Sequence, residues 1–109
     1  KVAPNLKLYK VPERESPIHY GIAKAALIQL TKELAVRLAK NNVNVNCIAY
    51  GGLEGRADEE FIKSYSQLCP SRRMLNKNDL SGPLDLLLSN GSEGINGHVL
   101  MVDGGWTIW

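Results

Sequence analysis

The segment YGIAKAALIQLTKELAVRLAKNNVNVNCIAYGG, residues 20–52, decides the fold. Its first part places leucines at three- and four-residue steps, which is the spacing of one face of an α-helix. These leucines are Leu27, Leu30, Leu34 and Leu38. In VNVNCIAY, which follows, apolar residues alternate with polar ones as in a β-strand, and the run ends at Gly51 and Gly52. A helix that leads into a strand is half of a βαβ unit, so the segment predicts an α/β fold.

The predicted helix covers residues 17–41. We expect Ser16 to be its N-cap and Pro17 its first helical residue, and we expect an asparagine of the KNN sequence to close it in the left-handed conformation. A second apolar strip runs beside the leucines and consists of Ile22, Ala25, Ile28 and Ala35. Because little of the helix surface is polar, the pattern predicts a helix that is covered on two sides.

The remaining pattern predicts a strand over residues 43–49, a helix over 57–68, a helix over 78–89 and a strand over 98–102. Pro83 should bend or weaken the first turn of the last helix. The order helix, strand, helix, helix, strand favours an α/β layer with parallel strands. Two strands make a poor sheet, so we expect them to be neighbours in a larger sheet that this chain does not contain.

Length and composition limit the function. With 109 residues the chain suits one domain, and its 13 Lys and Arg residues are dispersed, so a nucleic-acid partner has only the basic pI in its favour. No apolar run approaches the roughly 20 residues of a membrane span, and we expect a cytoplasmic protein without a membrane partner. Cys47 and Cys69 lack the companions of a metal site or a disulfide framework and are expected to be buried or incidental thiols. Residues 1–17 are predicted to be a connecting segment, extended at residues 6–9.

Residues 20–52, followed by INGHVLMVDGGW at 95–106, resemble the C-terminal half of a short-chain dehydrogenase/reductase. Tyr20 and Lys24 fall on the Tyr-x-x-x-Lys motif of that family, and VDGGW matches its common ending. The opening VAPNLKLY and the approach SPIHY are most similar to sugar-modifying members of the flagellin-modification type. The resemblance implies the C-terminal part of a Rossmann-like, doubly wound parallel sheet, with about two parallel strands and three helices.

In that family the tyrosine exchanges a proton with the substrate oxygen while a hydride moves to or from the nicotinamide, and the lysine also binds the nicotinamide ribose. The resemblance therefore assigns acid/base catalysis and cofactor binding to Tyr20 and Lys24. Physical chemistry supports the pair independently. Residues four apart share a helix face, and a cation about 4 Å from a phenol favours its ionised form by roughly 4 kcal/mol at an effective dielectric near 20. The alternative is that both side chains only cover the helix start and reach outward to water.

The glycine turn after the strand is the second candidate site. The family usually has Pro-Gly here, close to the nicotinamide carboxamide, with a threonine a few residues later. Gly51 and Gly52 keep the geometry for close approach, and Leu53 is expected to offer its backbone to the carboxamide. Tyr50 stands in place of the proline and Gly55 in place of the threonine. The alternative is a plain turn from strand to loop.

The chain lacks the Gly-x-x-x-Gly-x-Gly motif that receives a pyrophosphate. Each βαβ unit needs on the order of 30 residues, so a complete dinucleotide-binding sheet does not fit. The family serine is missing as well, because Ser16 is too close to Tyr20. We therefore expect residues 1–109 to be a single partial domain without its N-terminal dinucleotide-binding half. NAD or NADP is expected in the complete enzyme, whereas the chain alone should bind neither and be nearly inactive.

Two functions remain open. The first is the C-terminal portion of an NAD(P)-dependent oxidoreductase that acts on the carbonyl or alcohol of a small molecule, such as a sugar or sugar nucleotide. The second is a non-catalytic assembly module derived from such an enzyme, which forms a homo-oligomer or pairs with the missing half. Trp106 and Trp109 are expected to add apolar area for a partner. Arg72 and Arg73 are either a contact for an anionic substrate or part of a solvated loop, and His19 and His98 receive no role.

Overall fold

The computed structural model describes residues 3–108. In this part of the chain the helices are α1 (Ile18–Leu38), α2 (Glu59–Leu68) and α3 (Asn78–Leu88), and the strands are β1 (Cys47–Tyr50) and β2 (Val99–Val102). Short 3-10 turns occupy Leu6–Leu8, Pro12–Arg14, Ala39–Asn41 and Asn90–Ser92. The strands pair in parallel, in register from Cys47 opposite Val99 to Tyr50 opposite Val102. The prediction of an α/β layer with two parallel strands and three helices is confirmed.

Both strands are shorter than the sequence predicted, because asparagine side chains replace backbone pairs at their start. The Val45 amide donates to Asn96 Oδ1 at 2.9 Å, and the His98 amide donates to Asn46 Oδ1 at 3.0 Å. Asn46 Nδ2 donates in turn to the Ile95 carbonyl at 2.7 Å. The two segments are therefore aligned before the regular ladder begins at Cys47.

The predictions for the ends of α1 are partly wrong. Pro17, with φ −64° and ψ 144°, is the N-cap, and Ser16 makes no capping bond. At the other end Asn42 adopts φ 57° and ψ 36°, which confirms that an asparagine closes the helix. The extended piece predicted at residues 6–9 is a 3-10 turn, because the Asn5 side chain accepts a hydrogen bond from the Lys7 amide at 3.1 Å.

The prediction that α1 is covered on two sides is wrong for this chain. Thr31 and Ala35 are its only buried residues, whereas Ile22 is 65% exposed and Val36 is 80% exposed. The radius of gyration is 15.9 Å, although a compact domain of 109 residues has one of about 13 Å. The fold is therefore an open layer that leaves much apolar helix surface uncovered.

The main buried cluster lies away from α1, between α2 and the end of β2. It consists of Tyr65, Cys69 and Met74, with Leu8, Ala57, Phe61, Ile62 and Trp106 packed against them. Cys69 is 1% exposed, and its thiol donates to the Gly104 carbonyl at 3.4 Å. The expectation of a buried thiol is confirmed for Cys69, whereas Cys47 is half-buried. Since Leu8 belongs to this cluster, the N-terminal segment is part of the folded unit.

Arg73 is engaged in an ion pair with Asp79. Its Nη1 lies 2.6 Å from Asp79 Oδ2 and its Nη2 lies 2.8 Å from Oδ1, so both guanidinium arms are used. The Asn76 amide also donates to Asp79 at 2.8 Å, which ties the loop to the start of α3. Arg72 donates to the Gln67 carbonyl at 2.9 Å. Both arginines therefore make bonds within the chain that stabilise the loop, which agrees with the interpretation that they belong to a solvated loop.

We expect Asp79→Asn to lower the urea midpoint at neutral pH. Hydrogen bonds from Arg73 and then from Asn76 lower the pKa of Asp79 from 3.8 to about 2. Because the folded pKa lies below the unfolded one, this carboxylate stabilises the fold above the unfolded pKa, and the effect is lost as the pH falls toward 2. Urea titrations between pH 7 and 2 should show the two proteins converging. Asp85→Asn, which removes an exposed carboxylate from the same helix, is the control, and a difference for Asp79→Asn that is constant with pH would contradict the prediction.

Candidate active site

Four of the five residues proposed from the sequence meet in one groove, and the fifth, Leu53, does not line it. Tyr20 and Lys24 reach it from the first turns of α1, and Gly51 and Gly52 reach it from the turn after β1. The groove has a volume of about 550 Å³. Helix and turn are 27 positions apart in the chain, counted from Lys24 to Gly51. Because these residues line the same groove, the start of α1 lies near the carboxyl end of β1, where the turn begins.

Tyr20 and Lys24 lie on the same face of α1. The ammonium Nζ of Lys24 is 5.7 Å from the centroid of the Tyr20 ring, inside the range of about 6 Å for a cation–π contact. The Tyr20 side chain is 50% exposed, so its phenol is open to the groove and not sealed in the interior. The shared helix face predicted from the four-residue spacing is therefore present, with the ammonium placed over the ring.

The backbone amides of the glycine turn are used inside the chain. The Gly51 amide donates to the Val102 carbonyl at 2.9 Å, and the Gly52 amide donates to the Tyr65 hydroxyl at 2.9 Å. A Cβ on Gly51 would lie 2.8 Å from the Cα of Asp103, and one on Gly52 would lie 2.7 Å from the Tyr65 ring. Glycine is therefore required at both positions because Asp103 and Tyr65 pack closely against the turn.

Leu53 presents its backbone on the open side of the turn. Leu75 donates to the Gly52 carbonyl at 2.8 Å and accepts from the Glu54 amide at 2.9 Å, which makes a parallel bridge opposite Leu53. In such a bridge the residue between the two bonds turns its own N–H and C=O the other way. Within residues 3–108 no bond is made to these two groups of Leu53. Both groups are therefore available to a ligand.

A second groove adjoins the first and has a volume of about 640 Å³. It lies between the N-terminal segment and α2, and Gly52 lines both grooves. Two ion pairs join its walls, Lys10 with Glu60 and, at 3.1 Å, Arg14 with Asp58. The rings of Tyr9 and Phe61 also meet across it, with centroids 5.7 Å apart. Polar groups and aromatic surface thus surround a space beside the glycine turn.

Tyr65 and Asp103 are the residues that the sequence analysis missed. Asp103 is 8% exposed and accepts from the Gly105 amide at 2.9 Å and from the Thr107 hydroxyl at 2.6 Å, which folds the chain end after β2. Tyr65 is 5% exposed and stacks on Trp106, with ring centroids 4.3 Å apart. One face of Trp106 is therefore covered within the chain, and the residue as a whole is half-buried. Trp109 lies outside the described residues.

The departures from the family pattern have structural explanations. Tyr50, in the place of the proline, is the last residue of β1 and pairs with Val102. Its hydroxyl donates to the Leu80 carbonyl at 2.7 Å, which ties the strand to α3. Gly55 adopts φ 117° in an open loop, where a threonine would be strained.

Comparison with known proteins identifies the family. Residues 9–107 match the sequence profile described as enoyl-(acyl carrier protein) reductase. The chain belongs to the short-chain dehydrogenase/reductase family. A short-chain dehydrogenase of Leptospira borgpetersenii, solved with bound NAD+, superposes with a TM-score of 0.87 and is 36% identical, over 95% of this chain and 39% of that one. The resemblance inferred from the sequence is confirmed, and so is the Rossmann-like fold class.

Two curated relatives show how much of such a protein this short-chain dehydrogenase/reductase chain spans. The post-translational flagellin modification protein A of Campylobacter coli is 35% identical over 95% of the chain and 41% of its own length. The 2-dehydro-3-deoxy-D-gluconate 5-dehydrogenase of Dickeya dadantii is 38% identical over 80% of the chain and 37% of its own length. The chain thus spans about two fifths of these relatives. Among its described helices, none has the length and apolar character needed to cross a bilayer.

Proposed function

We propose that the chain is the C-terminal portion of an NAD(P)-dependent oxidoreductase and carries its acid/base pair. The observation that supports this most directly is the common groove of Tyr20, Lys24 and the glycine turn. The half-exposed phenol, the cation over its ring and the glycine turn come from separate segments, yet they line one groove, and Leu53 lines the groove that adjoins it. If Tyr20 and Lys24 only covered the start of α1, there would be no reason for the glycine turn to lie in the same groove.

The residues present fit the nicotinamide half of a dinucleotide. Lys24 would bind the hydroxyls of the nicotinamide ribose, and the amide and carbonyl of Leu53 complement the carboxamide, which has both an acceptor and donors. When bound, NAD(P) supplies or accepts the hydride. The pyrophosphate and adenosine need a glycine loop at a helix N-terminus, and no such motif is found in the sequence of this chain. We therefore propose that the dinucleotide binds only once the N-terminal half completes the domain.

Tyr20 would act as the general acid in reduction and as the general base in oxidation. Its hydroxyl gives a proton to the carbonyl oxygen of the substrate, and the phenolate takes that proton back in the reverse direction. The ammonium of Lys24 lies 5.7 Å from the centroid of the Tyr20 ring, so its positive charge is close to the phenol while the proton moves. The same two residues therefore serve both directions of the reaction.

For the substrate we propose a polyhydroxylated carbonyl compound, a sugar or sugar nucleotide. The relative from Dickeya dadantii is named for a keto sugar acid, and the one from Campylobacter coli for flagellin modification. The second groove suits such a compound, because charged side chains offer hydrogen bonds and Tyr9 and Phe61 offer ring faces. Both cysteines are free thiols, which suits a reducing compartment such as the cytoplasm.

The assembly module is retained as a second candidate because of the uncovered surface of the helices. On α1 Ile22 and Val36 are exposed by 65% and 80%, and on α3 Leu88 is exposed by 75%. Soluble proteins seldom leave large contiguous apolar patches without a partner. We propose that this surface is covered in a homo-oligomer or by the missing half.

Cofactor titration and mass measurement separate the two candidates. NADH or NADPH is titrated against the complete enzyme by fluorescence, hydride transfer to keto sugars is followed by absorbance, and the mass in solution is measured by light scattering. Saturable binding in the micromolar range with turnover is the expected result. A stable oligomer that binds neither dinucleotide would contradict the enzyme and favour the assembly module.

A further inference from the structure

Tyr65 fastens the glycine turn from below. Its hydroxyl accepts the hydrogen bond from the Gly52 amide at 2.9 Å, and its ring lies so close that a Cβ on Gly52 would approach Cε2 to 2.7 Å. Gly51 is held separately by the sheet, through the Val102 carbonyl. The bond to Tyr65 therefore fixes the peptide that joins Gly51 to Gly52, whereas the two bonds with Leu75 hold the peptides on either side of Leu53.

Tyr65 is itself held rigidly. It is 5% exposed and stacks on Trp106 with an interplanar angle of 8°, while Phe61 covers it at a centroid distance of 6.4 Å. Burial raises the pKa of the Tyr65 phenol, although the bond from Gly52 opposes this. The side chain consequently remains a neutral hydroxyl at physiological pH.

Gly51 and Gly52 line the groove of Tyr20 and Lys24, so the orientation of the peptide between them shapes the wall of that groove. Without an acceptor, the part-buried Gly52 amide would either lose its partner or rotate to find another. A rotation of this peptide would displace the turn from its place in the groove. A small displacement of this kind at a site of hydride transfer has a large effect on rate.

We infer that Tyr65 is a positioning residue, which fixes the Gly51–Gly52 peptide on the wall of the groove of Tyr20 and Lys24 through its hydrogen bond to Gly52. The inference rests on the proposed function, and it assigns to α2 a part in the chemistry that Tyr20 and Lys24 carry out from α1. Tyr65 acts through the turn and transfers no proton itself.

The test is Tyr65→Phe in the complete enzyme, which keeps the stacked ring and removes the acceptor. We expect kcat to fall by about ten-fold, and the primary isotope effect with dinucleotide deuterated at the transferred position to increase, because hydride transfer becomes more rate-limiting. Hydrogen exchange at the Gly52 amide should become faster. Ser66→Ala is the control, since it removes from the same helix a hydroxyl that donates to the Ile62 carbonyl at 2.7 Å.

The outcomes distinguish the inference from the proposed function. An active wild type whose Tyr65→Phe variant keeps kcat, isotope effect and Gly52 exchange would overturn the role of Tyr65 alone. A fall in thermal midpoint and in active fraction with an unchanged isotope effect would overturn it too, because that is the result of a purely structural role. A wild type without hydride transfer would refute the proposed function and this inference together.

Discussion

Tyr20→Phe is expected to lower kcat of the complete enzyme by on the order of a thousand-fold, within the range that general acid/base catalysis contributes. The variant keeps the ring that lies under the Lys24 ammonium, 5.7 Å from it, and loses only the hydroxyl. Because Tyr20 is half-exposed at the helix start, the change should affect the fold little. Stopped-flow and steady-state assays of hydride transfer measure the loss, and fluorescence titration should show dinucleotide affinity within about three-fold of the wild type.

A matched control is available in the same region. Tyr50→Phe also removes a phenolic hydroxyl, but one that donates to the Leu80 carbonyl at 2.7 Å and so belongs to the contact between β1 and α3. We expect it to change stability modestly and to retain turnover. If Tyr20→Phe retained turnover as well, Tyr20 would not be the acid/base, and another group in the enzyme would have to supply the proton.

The sequence predicted those features that depend on local periodicity. The leucine spacing located α1, the four-residue step placed Tyr20 and Lys24 on one face, and the alternation of helices with strands gave the parallel pair. These features follow from the geometry of single elements and from the handedness of their connections. They are the same features that carry the family motif.

The sequence did not predict contacts made between elements. The bond from Gly52 to Tyr65 joins residues 13 positions apart across a loop, and the bonds of Asn46 and Asn96 join segments about 50 positions apart. Nothing in the pattern of α2 separates Tyr65 from Phe61, since both lie on its apolar face. Only the tertiary structure shows that Tyr65, and not Phe61, bonds to the glycine turn.

The burial of α1 was predicted wrongly for a different reason. An apolar stripe reports what a helix contacts in the assembled protein, whereas the exposure of Ile22 and Val36 is measured in this chain alone. The apolar stripe of α1 and the exposure of its residues are compatible if another polypeptide covers this helix. The main buried cluster lies at α2 and the N-terminal segment because the apolar residues of this part of the fold pack against one another within the chain.

Lys24→Met should separate the two roles proposed for the lysine. Methionine keeps much of the length and apolar character of the side chain and removes the charge above the Tyr20 ring. We expect kcat to fall by about a hundred-fold, because the positive charge beside the reacting phenol is lost, and the KM for the dinucleotide to rise by about ten-fold, because a ribose ligand is lost. Lys24→Arg should recover part of the kcat and less of the KM, since guanidinium restores the charge but not the compact ammonium.

Lys32→Met is the matched control for this substitution, because Lys32 is exposed on α1 two turns further along. It should leave both kinetic parameters near those of the wild type. A Lys24→Met variant with an unchanged kcat and a raised KM would show that the cation binds cofactor without assisting proton transfer. Tyr20 would then depend for its reactivity on another group beside the same groove.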